Sequence, residues 1–345
     1  MTLHFVVSGA LDQITGGYLY DSRIVEGLRS RGRSVRVHEL DGRFPDVDAT
    51  AHASAAVMAG TVQEGETVVI DGLALPAFRE ILPALVGKAV VVALVHHPLA
   101  DETGLSAEER SRLEASDDAC LPQMRHIIVT SPATAKELAR YGISPERISI
   151  VIPGTDPAHR ALGSHDGKVR LLSVGSLIPR KGHDVLIRAM AELPELSWSL
   201  KCIGSESRDP ATAARLRALC RDTGLAGRIG FSGELVGAEL EAAYAAADVF
   251  VLASHHEGYG MVFAEALAHG LPIVATEAGA IPSTVPTGCG ILVPPGDHAA
   301  LAQALRRLIS DAPLRREIAQ NAYRAGKALP TWSEAAAAFD AALAL

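Results

Sequence analysis

Ser254-His255-His256-Glu257-Gly258-Tyr259-Gly260-Met261-Val262-Phe263-Ala264-Glu265 decides how this chain is read. It follows directly on Ala247–Ala253, a mostly apolar run of the kind expected for a parallel strand covered on both faces. It leads into a helical stretch that stops at His269-Gly270. Strand, glycine-bearing turn and helix in that order free the backbone N–H groups of the helix start, a ready site for phosphate or another anion. Glu265 falls one turn into the helix, where a carboxylate can accept hydrogen bonds from a ribose diol. Glu257 sits on the preceding loop, where it can hold a sugar hydroxyl. Two acids alone would read as a cap and a surface charge. With strand, glycines and helix in register, they read as a ligand site.

The same alternation extends outward over nearly the whole chain of 345 residues. Strands are expected at 3–8, 34–38, 67–71, 89–95, 126–130 and 148–152, then at 169–174, 198–203, 228–231, 248–253, 271–275 and 290–293. Helical periodicity fills the gaps, for example at 18–30, 133–141, 182–192, 211–223, 238–246, 261–269 and 298–309. Alternation of this kind predicts an α/β protein with doubly wound parallel sheets. Ser131-Pro132 supplies an N-cap and a proline for the first helical position, and Gly142 a C-cap. Between two halves of six strands each, Pro153-Gly154-Thr155-Asp156-Pro157 through Gly167 is rich in turn residues. The expected domains are therefore 1–160 and 161–330, two Rossmann-like units facing each other across a cleft at the C-terminal ends of their strands.

Composition narrows the function. A net charge of −8, with the first 160 residues the more acidic part, excludes a polyanion-binding protein unless basic charge is concentrated. The densest basic stretch, Arg23, Arg29, Arg31, Arg33 and Arg36, reads as a solvated helix end and turn. Cys120, Cys202, Cys220 and Cys289 stand far apart without a C-x-x-C, so neither a zinc ribbon nor a redox pair is expected. Leu3-His4-Phe5-Val6-Val7 already reads as a strand rather than a signal peptide, and no apolar run reaches membrane-spanning length. The expectation is a soluble cytoplasmic protein with free core cysteines. Asp46-Val47-Asp48 spells a metal-binding D-x-D, but it lies in a loop before a helix-like segment at 50–58 and reads as an N-cap. No metal site is expected, and Ser8-Gly9-Ala10-Leu11-Asp12 fails the dinucleotide G-x-G-x-x-G.

A second chemical feature is Leu171-Leu172-Ser173-Val174-Gly175-Ser176-Leu177-Ile178-Pro179-Arg180-Lys181-Gly182-His183. A buried strand ends at Gly175, and an Arg-Lys pair opens the next helix. Two adjacent cations beside a helix N-terminus can neutralise a diphosphate without metal; a solvated loop pair is the equal alternative on spacing alone.

In this order and spacing the motifs resemble family 4 glycosyltransferases, retaining enzymes of the GT-B fold. Glu257 and Glu265 match the family's E-x7-E pair, and Arg180-Lys181-Gly182 its basic phosphate motif. Leu271-Pro272-Ile273-Val274-Ala275-Thr276, Gly279-Ala280-Ile281-Pro282 and Leu292-Val293-Pro294-Pro295-Gly296-Asp297 continue the match. Gly16-Gly17 resembles the N-terminal glycine loop, and Thr331-Trp332-Ser333-Glu334 the start of a last helix that crosses back to the first domain, adding 331–345 to it. Ser176 departs from the family, which often has arginine there.

The resemblance implies that Arg180 and Lys181 bind a donor diphosphate approached also by Gly16 and Gly17. It implies that Glu265 holds the ribose, and that Glu257 with Gly258 and the amides of Gly260, Met261 and Val262 holds the sugar and its phosphate. Val236 would lie beside the nucleobase, and either His97 or His96 would be the active-site histidine, with His97 favoured. The implied activity is metal-independent, retaining transfer of a hexosyl-type sugar from a UDP-sugar, or GDP-mannose, to a hydroxyl of a small or soluble acceptor by front-face attack. A nucleotide-sugar epimerase or hydrolase, and a non-catalytic subunit assisting a partner, are the alternatives. No cofactor, nucleic acid or transmembrane segment is implied. Peripheral membrane contact is open but not favoured, and oligomeric state is not indicated.

Overall fold

A computed structural model describes residues 2–344 of the chain. They form two compact units, one of residues up to 154 with those from 330 on, the other of 155–329. The boundary expected at 160 therefore falls inside the second unit. Both units are α/β, and every strand pair in them is parallel.

The first unit runs β1 (Leu3–Ser8), α1 (Gly16–Ser30), β2 (Val35–Leu40), α2 (Ala49–Thr61), β3 (Thr67–Asp71), α3 (Leu82–Val86), β4 (Val90–Val95), α4 (Ala107–Cys120), β5 (His126–Val129), α5 (Pro132–Glu137) and β6 (Ile148–Ile150). Its sheet order is β2-β1-β3-β4-β5-β6. In register, Phe5 of β1 lies between Val37 and Val69. Because successive side chains alternate faces, Val6, Ile70, Ala93 and Ile127 join one core with Met58, Phe78 and Leu82. Phe5 turns the other way.

The second unit runs β7 (Val169–Val174), α6 (His183–Ala191), β8 (Trp198–Ile203), α7 (Pro210–Asp222), β9 (Ile229–Phe231), α8 (Gly237–Ala245), β10 (Val249–Leu252), α9 (Met261–Ala268), β11 (Ile273–Thr276), α10 (Ile281–Thr284), β12 (Gly290–Val293), α11 (His298–Ser310) and α12 (Ala312–Gly326). Its sheet order is β12-β11-β10-β7-β8-β9. Val249 and Val251 of β10 enter one core and Phe250 and Leu252 the other, so the strand is covered on both faces. The last helix, α13 (Trp332–Ala342), belongs to the first unit, where Phe339 packs 6.3 Å from Phe5 across ring centroids.

Strand order reverses between β1 and β3 in one sheet and between β7 and β10 in the other. Crevices at the C-terminal ends of strands at such switch points are where open α/β sheets bind ligands. Val174 ends one strand of the second pair and Gly175 follows it, and Ala253-Ser254 follow the other.

Several local expectations meet their cause. The Ser131 hydroxyl accepts from Thr134 N–H at 3.1 Å, and Gly142 adopts the left-handed conformation at φ 69°. The helix expected over 133–141, however, is α-helical only to Glu137 and tightens to 3₁₀ over Leu138–Tyr141. Asp48 caps α2 by accepting from Ala51 N–H at 2.9 Å, and Asp46 pairs with Arg112. The acidic stretch at 107–120 is a helix, started by a reciprocal cap between Ser106 and Glu109. All four cysteines are free and buried. No helix among the described residues is long and apolar enough to cross a membrane.

The contact of α1 with α13 allows a signed prediction. On propensity alone, alanine at Gly27 of α1 would gain about 1 kcal/mol. Its methyl would lie 2.4 Å from the Ala336 Cβ, so overlap outweighs propensity. Gly27→Ala is expected to lower stability by about 1–3 kcal/mol in urea denaturation. Gly60→Ala in α2, where a Cβ meets nothing within 4 Å, is expected to raise it by about 0.5–1 kcal/mol.

Candidate active site

The loops after β7 and β10 build one charged cluster. Pro179–Lys181 make a single 3₁₀ turn ending at Gly182, which is left-handed at φ 62° and caps α6. A Cβ at 182 would stand 2.0 Å from the Ala253 carbonyl, so the two loops touch backbone to backbone only because this residue is glycine. The contact is reinforced by His255 N–H donating to the Arg180 carbonyl at 2.8 Å. It aims both cations of the β7 loop at the acid of the β10 loop.

Lys181 Nζ donates to Glu257 Oε1 at 2.6 Å, and Arg180 Nη1 lies 3.4 Å from Oε2. Arg180 Nη1 also donates to the His256 carbonyl at 3.0 Å. The Ser254 hydroxyl completes the set, donating to Glu257 Oε1 at 2.6 Å. Glu257 is buried, and both cations keep only about a seventh of their side chains open. Burial by itself would push the Glu257 carboxyl up, but Lys181 and then Arg180 overcome it and hold it at about 2. His183, buried next to this turn, is pushed down to about 4 by burial and by Lys181. The positive charge of the loop is thus that of Arg180 and Lys181.

Above this cluster α9 starts at Gly260, left-handed at φ 82°, which brings no side chain to cover the first amides of Met261 and Val262. Gly279, after β11, presses from the other side: Ala280 N–H donates to the Glu257 carbonyl at 2.8 Å. Glu265 is half-buried on α9, with the Tyr244 hydroxyl donating to its Oε2 at 2.7 Å. Burial raises its carboxyl, against the lowering effect of that tyrosine. Tyr244 is itself clamped by His269, stacked at 4.9 Å and 3°. Val236 precedes α8 and is 56% exposed, an open apolar surface of the kind a planar base can cover.

In the first unit Gly16 and Gly17 open α1 behind the Thr15 cap. His96, directly after β4, packs its ring over Gly17, where an added methyl would sit 3.4 Å from Cδ2. Its Nε2 lies 3.1 Å from Asp21 Oδ1 and 3.4 Å from Asp71 Oδ2. His97 turns elsewhere, with Nε2 3.8 Å from Glu102 Oε2. Of the two histidines, His96 is the one on the glycine loop.

In the second unit the structure gathers Arg180, Lys181, Glu257 and the start of α9 and adds Ser254 and Tyr244; in the first unit it sets Asp21 and Asp71 beside His96. Ser254 stands in the motif stretch itself, next to its strand. Asp71 carries a legible signal, a carboxylate closing the apolar run Val68-Val69-Ile70. Asp21 lies on the buried face of α1 between Tyr20 and Ile24, and nothing in the sequence separates Tyr244 from an ordinary core aromatic.

Residues 155–325 match the family described as glycosyl transferases group 1, and residues 67–159 match glycosyltransferase family 4. Among curated proteins, the D-inositol 3-phosphate glycosyltransferase of Corynebacterium diphtheriae is 32% identical over 211 residues, 56% of this chain and 49% of that one. The protein of the same name from Thermobifida fusca is 33% identical over 236 residues, 62% and 54%. The chain thus spans about half the length of the curated relatives it matches. Among solved structures, a sucrose-phosphate synthase from Thermosynechococcus elongatus superposes with a TM-score of 0.84 at 21% identity, covering 99% of this chain and 97% of that one. HepE of Anabaena, solved with UDP and glucose, gives 0.78 at 18%, covering 99% of each. WaaG, a glycosyltransferase of lipopolysaccharide biosynthesis, gives 0.74 at 20%, covering 99% and 98%. The fold in common is GT-B.

The Glu257 cluster makes stability depend on pH with a definite sign. Its folded-state carboxyl lies below the ordinary 4.5, so the stabilisation is complete above about 4.5 and is lost as pH falls toward 2. Lys181→Ala leaves a buried carboxylate short of its closest counter-ion and is expected to cost about 3 kcal/mol at pH 7. The variant should also lose less than the wild type between pH 4.5 and 3, because its Glu257 starts higher. Urea denaturation across that range measures both.

Proposed function

We propose, from the premise that this chain belongs to the group 1 and family 4 glycosyltransferases, that it transfers a hexosyl-type sugar, with retention, from a nucleotide-diphosphate sugar to a hydroxyl of a small acceptor. The observation that carries this reading is the convergence of Arg180, Lys181 and Glu257 beside the start of α9, which no side chain caps, at the switch point of one sheet. A UDP-sugar is the favoured donor, in keeping with the UDP and glucose bound to the similarly folded HepE. D-inositol 3-phosphate, named for the curated relatives, is the first acceptor to try.

The chemistry follows from charge. Breaking the bond between C1 and the phosphate oxygen leaves both bonding electrons on the diphosphate and an oxocarbenium-like sugar. Fixed cations and helix-end amides aimed at the leaving oxygens stabilise that separation without reorganising, usually the largest single contribution to such catalysis. Arg180 and Lys181 supply the cations, and the amides of Met261 and Val262 supply the dipoles. Glu257, paired through both oxygens with those cations and with Ser254, is a fixed acceptor for sugar hydroxyls and a poor nucleophile. That favours front-face attack, in which the acceptor oxygen bonds to C1 as the C1–O bond breaks and its proton passes to the departing phosphate. Glu265, oriented by Tyr244, would accept from the ribose hydroxyls. Of the two candidate histidines, His96 rather than His97 packs on Gly17, so His96 is the one assigned to the transferred sugar. The D-x-D aspartates are engaged in a helix cap and an arginine pair, which supports a metal-independent reading.

A panel of UDP- and GDP-sugars, with and without D-inositol 3-phosphate, tests the proposal. One nucleotide sugar should raise the melting temperature and be consumed only with acceptor, giving a product whose anomeric configuration by NMR equals the donor's. Lys181→Ala should lower kcat by about 10²-fold or more. EDTA should leave the rate unchanged. Donor consumption without acceptor, or trapping of a covalent sugar on the protein, would sink the proposed reaction.

A further inference from the structure

The second place where strand order reverses, between β1 and β3, carries a different chemistry. Here β3 ends in Asp71, β4 leads into His96, and α1, which follows β1, contributes Asp21. The two carboxylates are 2% and 6% exposed, and both face one ring nitrogen, Nε2 of His96, at 3.1 and 3.4 Å. The ring is held from further sides. Tyr20 meets it edge-on at 5.3 Å, Gly17 lies beneath it, and the hydroxyls of Thr130 and Thr134 donate to its own carbonyl. No hydrogen bond among the described residues reaches Nδ1, and a fifth of the side chain remains open.

Two buried carboxylates on one N–H cannot be balanced by a neutral ring. Burying an uncompensated anion costs several kcal/mol, and a proton at Nδ1 gives the ring a positive charge that offsets one of the two carboxylates and attracts both. We infer that Asp21 and Asp71 are positioning residues that keep His96 a fixed imidazolium, so that its Nδ1–H is a cationic donor for a ligand oxygen and not a base. This deepens the glycosyl-transfer reading, on which the identity of that oxygen rests. The charge of the ring does not rest on it.

Burial raises the Asp21 carboxyl to about 6, with His96 opposing the rise and Asp71 adding to it, so above that pH both acids face the ring as carboxylates. Tyr18 and Tyr20 of α1 are the other titratable groups beside the two acids, and burial raises both phenols, which stay neutral. Burial alone would lower His96, but Asp21 and then Asp71 outweigh it and carry it to about 10. A fixed imidazolium cannot take the acceptor's proton. It leaves that proton to the departing phosphate, as front-face transfer requires.

Long-range ¹H–¹⁵N NMR on the full chain reads the ring directly and needs no nucleotide sugar. With His96 assigned by its loss in His96→Asn, both ring nitrogens should keep imidazolium shifts from pH 6 to about 8.5. In Asp21→Asn/Asp71→Asn they should become neutral with a midpoint at or below about 6.5, and each single variant should lower the midpoint by at least about one unit. Asp21→Glu, which keeps the charge, should restore it. If the double variant does not fold, the single variants and the wild type decide. A wild-type His96 that titrates near 6.5 overturns the inference. So does a stoichiometric shift of its signals by Mn²⁺ or Zn²⁺ alone, because the three ligand atoms lie within 4.8 Å of one another and would then be a metal site. In the transfer assay, Asp71→Asn should lose about tenfold in kcat/KM as pH rises through the new midpoint, a limb the wild type lacks. Failure to find any transfer would remove the functional reading and leave the NMR result standing.

Discussion

The site depends on loops that meet with no side chain between them. A Cβ on Gly182 would reach the Ala253 carbonyl at 2.0 Å, and one on Gly279 the Glu257 carbonyl at 2.4 Å. Both residues are left-handed, at φ 62° and 54°, so close approach and backbone conformation demand glycine together. These contacts bring the loops after β7, β10 and β11 together. Arg180, Lys181 and Glu257 can then form ion pairs without spanning water. Were the loops a side chain further apart, the same residues would be solvated charges of little mutual energy.

Burial gives those charges their meaning. Each of the two places where strand order reverses holds a small set of opposed charges, with the signs exchanged. In the second unit one carboxylate serves two cations; in the first one imidazolium serves two carboxylates. The set in the second unit keeps an odd positive charge as a handle for an anion, whereas the set in the first unit is negative as a whole and offers a ligand only the Nδ1–H of its ring. The net charge of −8 describes the surface and says nothing of either.

Much of this was legible in the residues. Among the described residues, twelve strands lie near their expected places, because buried parallel strands are short, apolar and bounded by turn residues. Gly142, Ser131 and Asp48 declared the helix ends they make. Reading fell short where the local pattern was ambiguous. The stretch at 107–120 is acidic with little apolar periodicity, and only its Ser106…Glu109 cap marks it as a helix. The region 133–141 has helical spacing throughout, yet its last turn tightens ahead of the left-handed Gly142.

The sequence determined the order of strands and helices, the glycines that permit close approach, and the acids and bases of the β7 and β10 loops. Strand periodicity and loop motifs are local properties, written within a few residues of one another. Only the tertiary structure decided that His96 rather than His97 meets the glycine loop, and that Asp21 and Asp71 share its Nε2 although 50 residues separate them. It also decided that Tyr244 orients Glu265. Those pairings depend on which strands lie side by side and which face of a helix is turned inward, and they are fixed by packing over distances that no local pattern records.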